Sequence, residues 1–542
     1  MNCKIIDMHW ERIFLKIIYE ADSEQPLVLY KVKTGPFIKL NSKKITKNTY
    51  EIAINMVAVK DRTFLENGRW KIGFLGIDKK TDLETAFNCV ISNEMASKSE
   101  YLDKIFRYTD RLAYTVNFEV VSENDEIKHL FIHSRFMKNN KKWQKLNLFQ
   151  ESTSLRSFFK KLTLRSIRFG INVFYQIATR LYPKRGNRVL IMTESSEYLV
   201  GNLRTIYDKL LERKKEKNLK VEYSARNVIG KENSAWSWMM TTIRLAKSDC
   251  IIVDNYVPIF GFINLDKRVK LIQVWHAGVG FKSVGYSRFG RKGSPKPMQS
   301  CHKKYTHALV GSHSLIEVYE EVFGIEREAF LPIGLPRLDG YLDEKVISEF
   351  KKEFYETYPF LKNKKIILFA PTYRGTGQKT AFYDYSKLDF QKLYDFCGKE
   401  YVFLMKMHPF IKKKPRLKKY ENRIIDFSFF PDINSLYYIT DIHITDYSSS
   451  YYEFSLMRRP ILFYTYDRIL YETTRGVHHS VKEAAPGKVC DTFDELLEAL
   501  KNKDFEIEKT LKFVDDNFSE YDGNSADKLI DVITDSKMTK KK

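Results

Sequence analysis

The sequence predicts an α/β chain in which two facing doubly wound, Rossmann-like domains follow a small β-sandwich domain. Three observations carry that expectation. Strand-like and helix-like runs alternate from residue 188 onward in two successive series. The first 145 residues lack that alternation and read as strand after strand. A chain of 542 residues also exceeds what one core can hold, which points to roughly three or four domains.

In the N-terminal part, FLKIIYEA, PLVLYKV, YEIAINMVAV, WKIGFLGI, AYTVNFEVV and KHLFIHSRF are rich in β-branched and aromatic residues, and ENG and SEND supply turns between some of them. Residues 1–145 therefore read as a β-sandwich-like domain, without a constellation suited to catalysis. The opening MNCKIIDMHWERIFLKI carries Asp7 and Glu11 and no long apolar core, unlike a secretion signal. No run of apolar residues is long enough to span a bilayer. Cys3, Cys89, Cys250, Cys301, Cys397 and Cys490 are scattered singly, the pattern of reduced thiols in a cytoplasmic protein.

Residues 152–187 form a separate segment. From Ser152 to Thr193 there is no Asp or Glu, while Lys160, Lys161, Arg165 and Arg168 accumulate with other basic residues. Leu155, Phe158, Phe159 and Leu162 fall at helical spacing, and Ile167, Ile171, Phe174, Ala178 and Leu181 continue it after a slip in phase near Ser166. An apolar face flanked by cations suits a helix lying on an anionic membrane. A linker helix packed on a neighbouring domain is the alternative. The net charge of +23 calls for an anionic partner: nucleic acid, an anionic lipid surface or a phosphate-rich substrate. No recognised nucleic-acid motif accompanies it, so nucleic acid is set aside.

RVLIMT opens the first α/β series, which continues through KVEYSAR, DCIIVD, KLIQVWH and THALVGS; KKIILFAPT opens the second, followed by YVFLMKMHP, DIHITD and RPILFYTY. The domains are expected at 188–345 and 346–535, with the active site in the cleft between them. Polar residues recur where strands should end: His276, Ser312 and His313, then Arg337 and Asp339, in the first series; Thr372, Tyr373, Arg374, Lys406, His408, Asp446, Ser448, Ser449 and Arg475 in the second. Their cationic bias describes a phosphate-handling cleft. Either histidine alone is more often structural, but one per domain suits general acid/base work near neutral pH. In DIHITDYSSSYYEF a strand gives way to a helix whose free N–H groups and serine hydroxyls would meet an anion, or which Asp446 or Ser448 simply caps.

The ordered set WHAG, GLPRLD, APTYR, MKMHP and TDYSSSYYEF resembles the CDP-glycerol glycerophosphotransferase family, the teichoic-acid primases and polymerases, over roughly residues 188 to 535. The resemblance implies a GT-B fold with an acceptor-side first domain and a CDP-donor second domain. It implies transfer of glycerol phosphate or ribitol phosphate from a CDP-activated donor to a membrane-anchored teichoic-acid or capsule acceptor, with CMP leaving. His276 matches the family's HG-type histidine, for which a base role toward the acceptor hydroxyl is the natural assignment, and His408 its HP histidine. Arg337, Arg374, Lys406, Ser448, Ser449 and Arg475 fall at positions suited to donor phosphates, and Asp446 and Glu453 near the nucleotide. The family commonly has a lysine five residues after the first histidine, whereas Lys282 lies six after His276, which leaves its role open.

No DxD motif accompanies the cleft segments, so no protein-held metal or tightly bound cofactor is expected, and only a Mg²⁺ ion carried by the donor is left open. The expected location is peripheral, on the cytoplasmic side of the cell membrane. A GT-B glycosyltransferase using a nucleotide sugar is the main alternative, because the fold serves both chemistries. A non-enzymatic membrane scaffold would leave the cleft histidines idle. Neither the polyol, the acceptor nor the oligomeric state is legible.

Overall fold

In the computed structural model the described residues are 3–22, 27–31, 37–59, 62–78, 83–109, 112–122, 128–138, 155–226, 235–278, 281–288, 301–375 and 378–534. Contacts divide the chain into two compact units. One comprises Met1–Leu164, Val284–Lys303 and Tyr319–Arg327, the other Arg165–Ser283, Lys304–Val318 and Glu328–Lys542.

The first unit is built from β1 (Cys3–Glu11), β2 (Phe14–Ala21), β3 (Leu27–Lys31), β4 (Ile38–Leu40), β5 (Ser42–Lys44), β6 (Thr49–Asn55), β7 (Gly68–Asp78), β8 (Leu83–Asn88), β9 (Val90–Ile91), β10 (Lys104–Thr109), β11 (Leu112–Ser122) and β12 (Lys128–Lys138). They make two sheets, ordered β5-β6-β2-β1-β9 and β10-β11-β12-β7-β3-β4, with β8 paired to β7. Alternation decides the core. Leu15, Ile17 and Tyr19 of β2, Ile52 and Ile54 of β6, and Ile72 and Phe74 of β7 turn inward with Tyr114, Val116, Leu130 and Ile132 into one apolar cluster. Two insertions from later in the chain join this unit, where Glu321 pairs with Arg12 at 2.7 Å and Glu326 with Arg62 at 2.6 Å. Two of the cysteines that are far apart in sequence also meet here, with 3.0 Å between the sulfurs of Cys3 and Cys89.

The second unit holds two six-stranded sheets. The first contains β13 (Arg188–Thr193), β14 (Lys220–Ala225), β15 (Cys250–Val253), β16 (Lys270–Gln273), β17 (His307–Leu309) and β18 (Phe330–Leu331), in the order β14-β13-β15-β16-β17-β18. The second contains β19 (Lys365–Phe369), β20 (Tyr401–Met405), β21 (Ile424–Asp426), β22 (Ile442–Thr445), β23 (Ile461–Tyr464) and β24 (Lys488–Cys490), in the order β21-β20-β19-β22-β23-β24. Every pairing in both is parallel. Strands such as CIIV and YVFLM are buried on both faces, hence their unbroken apolar runs. Strand order reverses between β13 and β15 in one sheet and between β19 and β22 in the other. These switch points open crevices at the carboxyl ends of the strands.

The second domain was expected to run to residue 535, but helix Ser525–Thr534 belongs to the other sheet. Its Leu529, Ile530 and Ile533 complete the core formed by Val189, Ile191, Leu203 and Ile272. Lys270 Nζ donates to the Val532 and Ile533 carbonyls, and the Asp339 carboxylate accepts from the Ser525 and Ala526 N–H groups at the start of the helix. An apolar stripe is satisfied by whichever core lacks cover, and sequence order does not decide which.

A single helix runs from Leu155 to Leu181, through the slip in phase near Ser166. The side chains of Lys160 and Lys161 lie outside the described residues; Arg165 and Arg168 are exposed. The expected apolar face is divided. Tyr175 and Ala178 are buried, while Phe169 (73% exposed), Val173, Ile177 and Leu181 (71%), each four residues from the last, stand open with Ile167. Among the described residues no helix is long and apolar enough to cross a membrane.

An aromatic ring is wedged between the two parallel sheets. Tyr452 of helix Ser450–Ser455 enters a slot between Gly278 and Gly311, where an added Cβ would lie 2.0 Å from the ring or 1.9 Å from the hydroxyl, respectively. Gly311→Ala is therefore expected to cost about 1–3 kcal/mol of stability through overpacking. Tyr452→Phe should recover part of that loss but none of the loss caused by Gly278→Ala, whose clash is with the ring; urea denaturation of the single and double variants reads the difference.

Candidate active site

At the end of β16 the chain turns sharply: Trp275 adopts φ 50°, a left-handed conformation for a bulky residue. Surrounding groups hold it there. Gln273 Oε1 accepts from the Trp275 N–H at 2.8 Å, and the Asn202 amide donates to the Val274 and Trp275 carbonyls at 3.0 and 2.9 Å. The turn delivers His276, which is exposed. Its Nδ1 lies 3.2 Å from the Asp254 carbonyl oxygen. A carbonyl only accepts, so the neutral ring carries its proton on Nδ1 and its lone pair on Nε2. Protein packed about the ring lowers its proton affinity below the ordinary imidazole value, against the pull of the Asp254 carbonyl and carboxylate.

His408 has the opposite tautomer. It follows β20, and its Nδ1 accepts from the Phe410 backbone N–H at 3.1 Å, which leaves the ring proton on Nε2. The ring sits between Tyr373 and Phe410, with centroids at 4.7 and 4.6 Å. Burial, with Lys282 and Lys406 nearby, lowers its pKa to about 4. At neutral pH one histidine thus presents a lone pair and the other an N–H donor.

Lys282 reaches the same region. Residues 281–283 run antiparallel to 476–478: Lys282 bridges Val477, the Ser283 N–H donates to the Gly476 carbonyl, and the His478 N–H donates to the Phe281 carbonyl. This places the lysine in the field of Arg475, Arg374 and Asp446. Burial, reinforced by the two arginines and opposed by Asp446, lowers its pKa to about 8. Arg475 bonds to the Gly375 carbonyl and lies 6.0 Å from the Tyr373 ring centroid.

The remaining candidates divide by what their polar atoms meet. Arg337 pairs with the buried Glu453 carboxylate and donates to the His276 carbonyl at 2.7 Å, tying the two sheets together beside the Tyr452 slot. Burial raises the Glu453 pKa, and Arg337 and the Gly278 N–H oppose the rise. Arg374 is 8% exposed and donates to Asp467 at 2.6 and 2.9 Å, to Asp446 at 2.8 Å and to the Thr372 carbonyl at 2.7 Å. Burial works against its charge, but Asp446 and Asp467 hold its pKa above the ordinary value. Asp446 also accepts from the Thr372 and Tyr447 N–H groups. Arg374 and Asp446 therefore spend their polar atoms inside the domain, on the turns after β19 and β22.

Ser448 and Ser449 are partly exposed, and the Ser449 side chain makes no capping bond to the helix it begins. Lys406 Nζ donates to the Ser428 carbonyl at 3.1 Å. His313 pairs with Glu520 at 2.9 Å, and Asp339 is occupied by the helix start described above. Among the described residues no group of three His, Cys, Asp or Glu side chains could hold a metal ion.

Strand-end reasoning reached β16, β17, β19, β20 and β22 but overlooked β13 and β15. There TES and VDN place Glu194, Ser195, Asp254 and Asn255 at a switch point by the same rule. Asn202, in a helix, gave no signal, since its role depends on which turn the helix faces.

With this geometry the class is defined. The family described as CDP-Glycerol:Poly(glycerophosphate) glycerophosphotransferase matches residues 173–535, and the chain belongs to it. It is an enzyme that transfers a polyol phosphate from a CDP-activated donor. Among particular relatives, the teichoic acid ribitol-phosphate polymerase TarL of Staphylococcus aureus (strain NCTC 8325 / PS 47) is 30% identical over 555 residues, covering 96% of this chain and 97% of that protein. TarK, the teichoic acid ribitol-phosphate polymerase of the same strain, is 36% identical over 372 residues, covering 68% and 72%. The structure of the wall teichoic acid polymerase TagF superposes with a TM-score of 0.54 at 23% identity, over 72% of this chain and 99% of that one. The fold is thus GT-B-like.

Arg374→Ala should cost about 3–5 kcal/mol of folding stability, because it strands two carboxylates in the interior. Arg475→Ala, whose hydrogen bond among the described residues is to the Gly375 carbonyl, should cost under about 1 kcal/mol. Thermal or urea unfolding of both variants distinguishes a buried organiser from a group held free for a ligand.

Proposed function

We propose that this enzyme adds ribitol phosphate from CDP-ribitol to the hydroxyl end of a membrane-anchored teichoic-acid chain, releasing CMP. The observation that carries the reading is the complementary pair of tautomers, His276 with its lone pair on Nε2 and His408 with its N–H at Nε2. His276 Nε2 takes the proton of the acceptor hydroxyl as that oxygen attacks the polyol-bearing phosphorus. The new P–O bond forms while the bond from that phosphorus to the CMP oxygen breaks, and the proton stays on His276. Charge spreads over the non-bridging oxygens in this step, where fixed donors stabilise it most. His408 Nε2–H, Lys282, Arg475 and the Ser448 and Ser449 hydroxyls supply them. Arg337, Arg374, Asp446 and Glu453 hold the turns that carry these groups, and Lys406 braces the strand end before His408. A Mg²⁺ ion would arrive only with the donor.

The choice of ribitol rests on relatives named as ribitol-phosphate polymerases, one of them matched along almost the whole chain. We read the two-sheet N-terminal region as the small β-sandwich, and the two parallel sheets as the acceptor-side and CDP-donor domains. The exposed row of Phe169, Val173, Ile177 and Leu181, flanked by Arg165 and Arg168, supports docking on an anionic inner leaflet. That position would present the cleft to an acceptor confined to the membrane.

His276→Ala and His408→Ala are each expected to lower CMP release about a hundredfold or more with the fold intact. CDP-ribitol should be turned over in preference to CDP-glycerol, and mass spectrometry of the product decides between them. In a plot of log kcat/KM against pH, activity should fall on the acid side only below the ordinary imidazole value of about 6.5, because His276 resists protonation. On the alkaline side it should fall as pH rises through about 8, where Lys282 loses its proton and its charge. Lys282→Arg should move that limb upward; an unmoved limb would remove Lys282 from the phosphate-binding set.

Reversing Lys160, Lys161, Arg165 and Arg168 to Glu should release the enzyme from anionic liposomes, since each cation near such a surface contributes about 1 kcal/mol. Raising salt should have the same effect by screening. Sedimentation with vesicles of anionic and of neutral lipid reads both, and a wild-type protein that binds neither kind would assign the helix to domain packing alone.

A further inference from the structure

The crevice at the switch point of the first sheet is unused by the chemistry above, and it is polar in an uneven way. Ser195 is exposed and Asn255 partly so, with the Asn255 amide donating to Ser195 Oγ at 3.0 Å and Thr193 Oγ1 3.0 Å from that same oxygen. Beneath them Glu194 is 4% and Asp254 6% exposed. Glu194 pairs with Arg226, which follows β14, bonds to Ser237 Oγ at 3.3 Å and lies over the Trp238 ring. Yet Glu194 Oε2, Asp254 Oδ1 and Arg226 Nε are buried without a hydrogen-bond partner among the described residues. Buried polar atoms are almost always satisfied, so three left over on neighbouring strand ends point to a ligand rich in hydroxyls and carrying negative charge. Asp254 also links this crevice directly to His276 through its carbonyl.

We infer that Glu194, Ser195, Arg226, Asp254 and Asn255 form the acceptor subsite, in which the polyol hydroxyls of the chain end meet the carboxylates, Ser195 and Asn255, and the phosphodiester preceding the terminal polyol meets Arg226. The inference rests on the reading of His276 as the base. Strand order supports the spacing. β14, β13, β15 and β16 are consecutive neighbours, so the strand ends bearing Arg226 and His276 are three spacings, roughly 14 Å, apart. A terminal polyol with the phosphodiester before it bridges that span with a side chain at each end. Ion pairing with Arg226 limits the repulsion of the phosphodiester by Glu194, and hydroxyl donors suit the free oxygens of both carboxylates.

The test is calorimetric titration of the full chain with a short soluble ribitol-phosphate oligomer, with CDP and with inorganic phosphate. The double variant Glu194→Gln/Arg226→Met removes both buried charges while keeping packing on Trp238, and should raise the oligomer Kd about tenfold or more, with the CDP Kd within about twofold. Asn255→Ala, a solvent-facing change, should raise the oligomer Kd about threefold or more and serves if the double variant does not fold. Inorganic phosphate at equal phosphate concentration should not displace the oligomer, since it lacks the hydroxyls. An unchanged oligomer Kd in the variants that fold, an equal loss of CDP affinity, or displacement by phosphate overturns the subsite. If the wild type instead fails to release CMP from a CDP-polyol, the proposed function itself has failed; CMP release with unaltered oligomer binding in the variants sinks the subsite alone.

Discussion

The structure depends first on the contact between its two parallel sheets, where Arg337 meets Glu453 next to the ring of Tyr452 in its glycine slot. A buried ion pair contributes little net stability over an apolar replacement, but removing one partner strands the other charge at a cost of about 3–5 kcal/mol. Such a contact therefore acts mainly on geometry. Arg337 also holds the His276 carbonyl, and its backbone N–H donates to Asn202 Oδ1, while the Asn202 amide holds the carbonyls before His276. The residue that joins the sheets thus also positions the candidate base, and a shift at the interface reaches the histidine through two hydrogen bonds.

A division of labour among charges follows from burial. Arg374, enclosed by Asp446, Asp467 and the rings of Tyr383, Tyr447, Tyr466 and Tyr471, is satisfied by the protein and organises the turns after β19 and β22. Lys282 and Arg475 lie beside it with fewer commitments, and burial, with the two arginines adding to it, destabilises Lys282 as a cation. A phosphate would relieve that stress. This region is therefore built as an inner neutralised layer carrying an outer layer of positive charge, an arrangement that favours an anionic ligand without unfolding the empty protein.

The first sheet has a different character. Beside Arg226, its β13 and β15 ends offer buried carboxylates, an amide and a hydroxyl. This contrast suits the two substrates of the family's reaction, a nucleotide diphosphate on one side and a hydroxyl-bearing chain on the other. In the proposed subsite the buried acidic residues would meet hydroxyl donors, a role lysine and arginine cannot fill.

From sequence alone, periodicity determined the two parallel sheets, since fully buried strands must read as unbroken apolar runs between amphipathic helices. It equally determined that His276 and His408 follow strands, because each comes where an apolar run gives way to a turn. The alternation of the first 145 residues likewise determined two-faced strands. Tertiary structure alone decided the rest. The tautomers of the two histidines depend on backbone groups, the Asp254 carbonyl in one case and the Phe410 N–H in the other, and a carbonyl's direction is not written in residue identity. Whether an arginine is free or spent depends on partners dozens of residues away, as with Arg374 and Asp446. Helix Ser525–Thr534 joined the distant sheet because its apolar stripe matched an uncovered core, and the hydrophobic effect recognises area, not sequence order.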